Sequence, residues 1–103
     1  MPNNRYLAGR RMEWERRKHW ESAGCQVIRS AGSKSPWDLV AICPTCVRPV
    51  LLIQCKRART EAQAQRMLEA FKKKPPLPAS KGYFQVMEAW VPRKGVFTVC
   101  SDD

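Results

Sequence analysis

The chain has no apolar run approaching the ~18 residues that a membrane-spanning helix needs, and its N-terminus lacks a secretory pattern. A soluble, intracellular protein is therefore expected. Histidine is nearly absent, with His19 alone. Of the five cysteines only Cys43 and Cys46 form a Cys-x-x-Cys pair. A structural zinc site wants four such ligands, usually from two pairs, so the default reading of Cys43 to Pro49 is a hairpin turn. A zinc site shared across a dimer and a reversible disulfide are the lesser readings. An odd cysteine count without an export signal argues against a disulfide framework. Cys25, Cys55 and Cys100 sit in apolar, strand-like runs, where cysteine acts as a small buried hydrophobe. Acidic residues are also scarce, 9 against 19 basic ones, giving a net charge of +10. That excess favours an anionic partner. Nucleic acid comes first. A membrane surface comes second, because no long basic helix with a clean apolar face stands out. No aromatic-rich strand motif offers stacking for RNA bases. There is no internal repeat and no low-complexity tract.

What remains is a chain of 103 residues, 44% hydrophobic, which predicts one globular domain with a modest core. Oligomerisation would help to stabilise a core of that size. The chain is organised around Asp38 to Lys56. Two apolar runs, Asp38 to Ile42 and Val50 to Lys56, read as strands joined by a turn. Side chains alternate along a strand, so Leu52, Gln54 and Lys56 share one face while Leu51, Ile53 and Cys55 share the other. If the strands pair as a hairpin, Asp38 comes beside Gln54 and Lys56. An acid, an amide oxygen and an ammonium at one sheet end form a plausible site for a hard metal ion and a phosphate.

Residues 5 to 23 predict a helix, with Asn3 or Asn4 as its cap and Gly24 ending it at C′. At roughly 100° per residue Ala8, Met12, His19 and Ala23 cluster on one face, with Tyr6 and Trp20 at its margin and Glu13 between them. Leu7 and Trp14 fall on the far side, either as ordinary exposed apolar residues or as a subunit or DNA contact. Residues 25 to 30 predict a strand. Ala31 to Pro36 is a loop by composition, either a plain turn or a phosphate-binding loop. Strands follow over about 37 to 43 and 50 to 56. Thr60 and Gln63 match a capping box that opens a second helix, whose stripe of Ala64, Met67, Leu68 and Phe71 is core-facing. Lys72, Lys73 and Lys74 precede the prolines that stop it. They form a solvated helix end or, as the net charge favours, a phosphate contact. Residues 83 to 91 and 96 to 100 predict two last strands around a turn at 92 to 95.

Four segments together resemble a known family: Gly9-Arg10-Arg11-Met12-Glu13; Gly24 with Val27-Ile28-Arg29-Ser30-Ala31-Gly32-Ser33-Lys34; Asp38-Leu39-Val40-Ala41; and Ile53-Gln54-Cys55-Lys56. They resemble the archaeal-type Holliday-junction resolvases of the PD-(D/E)xK nuclease superfamily. The resemblance spans about residues 5 to 60, and the later helix and strands match in order. It implies an α/β, restriction-endonuclease-like core, with a mixed central sheet of about five strands flanked by two helices. It implies a homodimeric endonuclease that nicks opposing strands of four-way branched DNA with Mg²⁺ or Mn²⁺ and no small-molecule cofactor. Carried over by motif, the catalytic set is Glu13, Ser33, Asp38, Gln54 and Lys56. Glu13, Asp38, Gln54 and the Cys55 carbonyl hold the metal, and Arg10, Arg11, Arg29, Lys34 and Arg57 contact DNA. The family has an acid where this chain has Gln54. An amide oxygen still coordinates a hard cation but brings no charge, so weaker metal affinity is expected. Two alternatives stay open: another PD-(D/E)xK repair nuclease, or an inactive junction-binding protein. The family's occurrence, with the shortness of the chain, suggests a phage or viral source.

Overall fold

The computed structural model describes residues 4–30 and 35–101, with side chains from residue 10 onward. In chain order the elements are α1 (Asn4–Ser22), β1 (Gln26–Arg29), β2 (Leu39–Ile42), β3 (Val50–Arg57), α2 (Glu61–Lys73), β4 (Tyr83–Val91) and β5 (Gly95–Ser101). The five strands form one sheet in sequential order. All neighbours are antiparallel except β3 and β4, which run parallel because α2 carries the chain back between them. This is the mixed five-stranded α/β architecture expected from the sequence.

Strand alternation divides the core in two. Val27, Leu39, Ala41, Leu51, Ile53 and Val86 point to one face, where Trp20 of α1 packs. Met87, Ala89 and Val91 point to the other, against Ala64, Leu68 and Phe71 of α2. The α2 stripe thus does what its spacing predicts. Its cap also forms: Thr60 Oγ1 accepts from the Gln63 N–H at 3.1 Å, while Gln63 Oε1 reaches back to the Arg59 N–H at 2.8 Å. Gly24 follows α1 at φ +94°, a conformation only glycine adopts without strain.

Two expectations are corrected. On α1, Met12 is buried, but His19 and Ala23 are exposed. The inner face runs instead through Met12, Arg16 and Trp20, because the sheet opposite presents an acid, Glu88, that Arg16 must meet. The side chains of Asn4, Tyr6, Leu7 and Ala8, and the whole of Asn3, lie outside what is described, and with them the Asn3 or Asn4 cap and the faces assigned to Tyr6, Leu7 and Ala8. The second correction concerns cysteine. Cys25 and Cys43 are disulfide-bonded. The β1–β2 register pairs Gln26 with Ile42, so the residues just outside that pair are brought side by side. An odd count constrains only the pairing of all five, and Cys46, Cys55 and Cys100 remain thiols. Cys46 is exposed in the hairpin turn. No helix among the described residues is long and apolar enough to cross a membrane. Nothing in the fold bears on a phage or viral source.

Candidate active site

Asp38 stands at the mouth of β2, and its position is fixed from three directions. Its N–H donates to the Ile53 carbonyl at 2.9 Å, and its carbonyl accepts from the Ser30 N–H at 2.9 Å. Its side-chain Oδ2 accepts from the Cys55 N–H at 2.7 Å. The residue before it, Trp37, is buried edge-on against Phe71 and so ties the strand start to α2. A charged acceptor on a backbone donor makes a strong hydrogen bond. The carboxylate is therefore held over the end of β3.

Glu13 approaches from α1. Its pKa is raised from the ordinary 4.5, first by burial and then by the nearby charge of Asp38, while Arg29 and Arg10 oppose the rise. Arg29 on β1 stands 3.5 Å from the Glu13 carboxylate. The two predicted acids are thus brought close enough to repel each other. Register pairs Leu39 with Ile53, which sets Asp38 across from Gln54, with Lys56 two residues further along β3. Gln54 is half-buried and Lys56 exposed. By alternation both belong to the face of Leu52, which packs toward α2, whereas Glu13 arrives on the α1 side. Asp38 lies between the two groups.

Of the predicted DNA contacts, Arg10 and Arg29 line a pocket beside Glu13. Arg11 is exposed, and Arg57 stacks its guanidinium 5.1 Å above the Trp90 ring. Ser33 and Lys34 lie outside the described residues. The Cys55 thiol is held protonated well above its ordinary range, first by burial and then by the charges of Glu88, Asp38 and Glu13. Its contribution to the site is therefore its backbone.

The sequence reading missed the support beneath this site. Arg16 grips Glu88 with two hydrogen bonds, Nη2 to Oε2 at 2.7 Å and Nε to Oε1 at 3.1 Å, and Trp20 Nε1 adds a longer one at 3.4 Å. Glu88 is fully buried and paired in register with Cys55, the residue whose N–H holds Asp38. A signal was present: Glu88 is the only charge in the strand 83 to 91, and a buried charge requires a partner.

The donors here are oxygens, two carboxylates and an amide, which suit a hard divalent cation better than a soft one. A cation would also relieve the repulsion between Glu13 and Asp38. Among the described residues no group of three or more acidic, histidine or cysteine side chains is placed to hold a metal. Glu13 and Asp38 are the two charged donors such a cation would meet, and Gln54, on the α2 side by alternation, stands across from Asp38.

No family model matches this chain, and a search of curated proteins found no match. Among solved structures, the chain is similar to Hjc of Archaeoglobus fulgidus, a Holliday junction resolvase from a hyperthermophile. The TM-score is 0.53 at 26% identity, over 85% of this chain and 72% of that one. The mixed five-stranded sheet with its two helices matches the fold of that resolvase.

Proposed function

We propose that the protein is a structure-selective DNA endonuclease that resolves four-way junctions by metal-dependent phosphodiester hydrolysis. The observation that carries the reading is the meeting of Glu13 with Asp38 at the sheet end, on a fold similar to that of a junction resolvase. The net charge of +10 supports a polyanionic substrate.

In this reading Glu13 and Asp38 would hold a Mg²⁺ or Mn²⁺ ion, with the Gln54 amide oxygen and the Cys55 carbonyl as neutral donors. A bound ion supplies Lewis-acid polarisation of the phosphate and a more acidic water. The Lys56 ammonium orients the attacking water and stabilises the charge that builds on the phosphorane oxygens. Arg10, Arg11, Arg29, Lys34 and Arg57 place the backbone without reading base edges, so selectivity comes from branch shape. A homodimer with two-fold symmetry would set two such sites on symmetry-related strands of the junction. The test is cutting of a labelled four-way junction and a matched linear duplex, with Mg²⁺ and with EDTA. Paired symmetric nicks on the junction alone, lost in EDTA, are expected. Equal cutting of both substrates would point to a general repair nuclease.

One observation favours a second reading. Gln54 leaves the site two charged donors, so the chain could bind junctions without cutting them. Tight junction binding with no nick in either metal would select that reading.

A further inference from the structure

Trp14 has no role in the chemistry above, yet it is 56% exposed on a helix that carries Glu13. Its indole is not isolated. Lys18 Nζ stands 4.2 Å from the ring centroid. Trp14 also walls a pocket of about 190 Å³ that it shares with Arg10, Glu13, Arg17, Arg29 and Leu39. An aromatic ring, a cavity for one flat group and four surrounding cations lie directly against an acid of the candidate active site.

We propose that this pocket binds an unstacked nucleobase of the DNA substrate, next to the phosphate being cut, with Trp14 as its stacking surface. The inference rests on the nuclease reading above and adds a base-binding site to it. A π-face stacks on any base, so the pocket selects for an unpaired or strained base and not for sequence. The branch point of a junction supplies such bases and an intact duplex does not. Lys18 and the arginines suit the flanking phosphates. Charge complementarity also distinguishes this occupant from a second copy of the chain. An isologous contact through Trp14 would bring Arg10, Arg17, Lys18 and Arg29 of one protomer against the same patch of the other. Two acids temper the patch, Glu13 beside Arg29 and Glu21 beside Arg17, each pair at 3.5 Å, and the four cations still outnumber them. A polyanion resolves that repulsion.

The experiment places 2-aminopurine, a fluorescent base, either at the branch or in mid-arm of otherwise identical four-way junctions. Each is titrated with full-length wild type, Trp14→Phe and Trp14→Ala in EDTA, and nicking by wild type is read on the same junctions in Mg²⁺. The expected result is a fluorescence change at the branch alone. Trp14→Phe should largely preserve it. Trp14→Ala should lose it and weaken junction binding on the order of tenfold, with linear-duplex binding unchanged. Junction binding and branch fluorescence untouched by Trp14→Ala, while wild type still nicks, would overturn the base site and leave the nuclease reading standing. Wild type that neither binds nor nicks the junction would overturn both. A dimer that Trp14→Ala converts to monomer in sedimentation would make the ring a subunit contact and overturn the base site.

Discussion

Arg16 and Glu88 form a forked ion pair across the buried interface of α1 and β4, with contacts of 2.7 and 3.1 Å and no solvent exposure on the Glu88 side chain. The pair joins the helix that carries Glu13 to the strand beside Cys55, the residue that holds Asp38. It therefore links the two elements that present Glu13 and, through Cys55, Asp38.

Removing one partner strands the other as an uncompensated buried charge. Arg16→Met should destabilise the fold by about 3–5 kcal/mol. Adding Glu88→Leu to that variant should recover most of the loss, because an apolar pair of similar volume needs no desolvation of charge. Urea unfolding midpoints of the two variants and wild type would measure this. A loss below ~1 kcal/mol for Arg16→Met would mean the pair is not buried as described.

Glu13 titrates above its ordinary 4.5, so the folded state holds its proton more tightly than the unfolded chain does. The stability this gives is present in full below the ordinary value and is lost as pH rises through the folded-state pKa. Glu13→Gln should therefore unfold at higher urea than wild type near pH 7 and at the same urea near pH 4. A cation competes with that proton, so the acid limb of metal-dependent nicking should lie above the ordinary carboxylate range. Equal midpoints for the two proteins at both pH values would contradict the strained position of Glu13.

Gln54 lies across from Asp38 and brings oxygen without charge. Gln54→Glu should lower the Mg²⁺ concentration for half-maximal nicking several-fold, read from a metal titration on a fixed junction. Loss of nicking would show that the amide itself is required.

The Cys25–Cys43 bond spans 18 positions of sequence and ties the start of β1 to the end of β2. Cys25→Ala with Cys43→Ala should cost about 3 kcal/mol, measured as a urea midpoint against the oxidised wild type. Before reduction, exposed Cys46 should be the first thiol to react with an alkylating reagent, mapped by peptide mass. Rapid labelling of Cys25 or Cys43 without reductant would contradict the bond.

Much of this molecule can be read without coordinates, and the reason is local. Ala64, Leu68 and Phe71 repeat at helical spacing, Thr60 and Gln63 cap the helix they open, and β3 carries its polar residues at one end. Those signals lie within a few residues of one another. The readings that failed depend on what a distant segment presents. The inner face of α1 is polar because Glu88 is 72 positions away from Arg16, and no periodicity within the helix records that. The disulfide follows from the β1–β2 register and not from cysteine counting. Asp38 and Glu13 were singled out through their motifs, but that the two charges feel each other is a property of the folded arrangement alone.

In the proposed function Asp38, placed where three strands meet, carries metal-dependent cutting of branched DNA. The decisive experiment is single-turnover nicking of a labelled four-way junction by wild type and Asp38→Asn, with binding measured on the same samples. Paired nicks by wild type in Mg²⁺, reduced at least about a hundredfold in Asp38→Asn with junction binding retained, is the predicted result. Nicking by Asp38→Asn at the wild-type rate would contradict it.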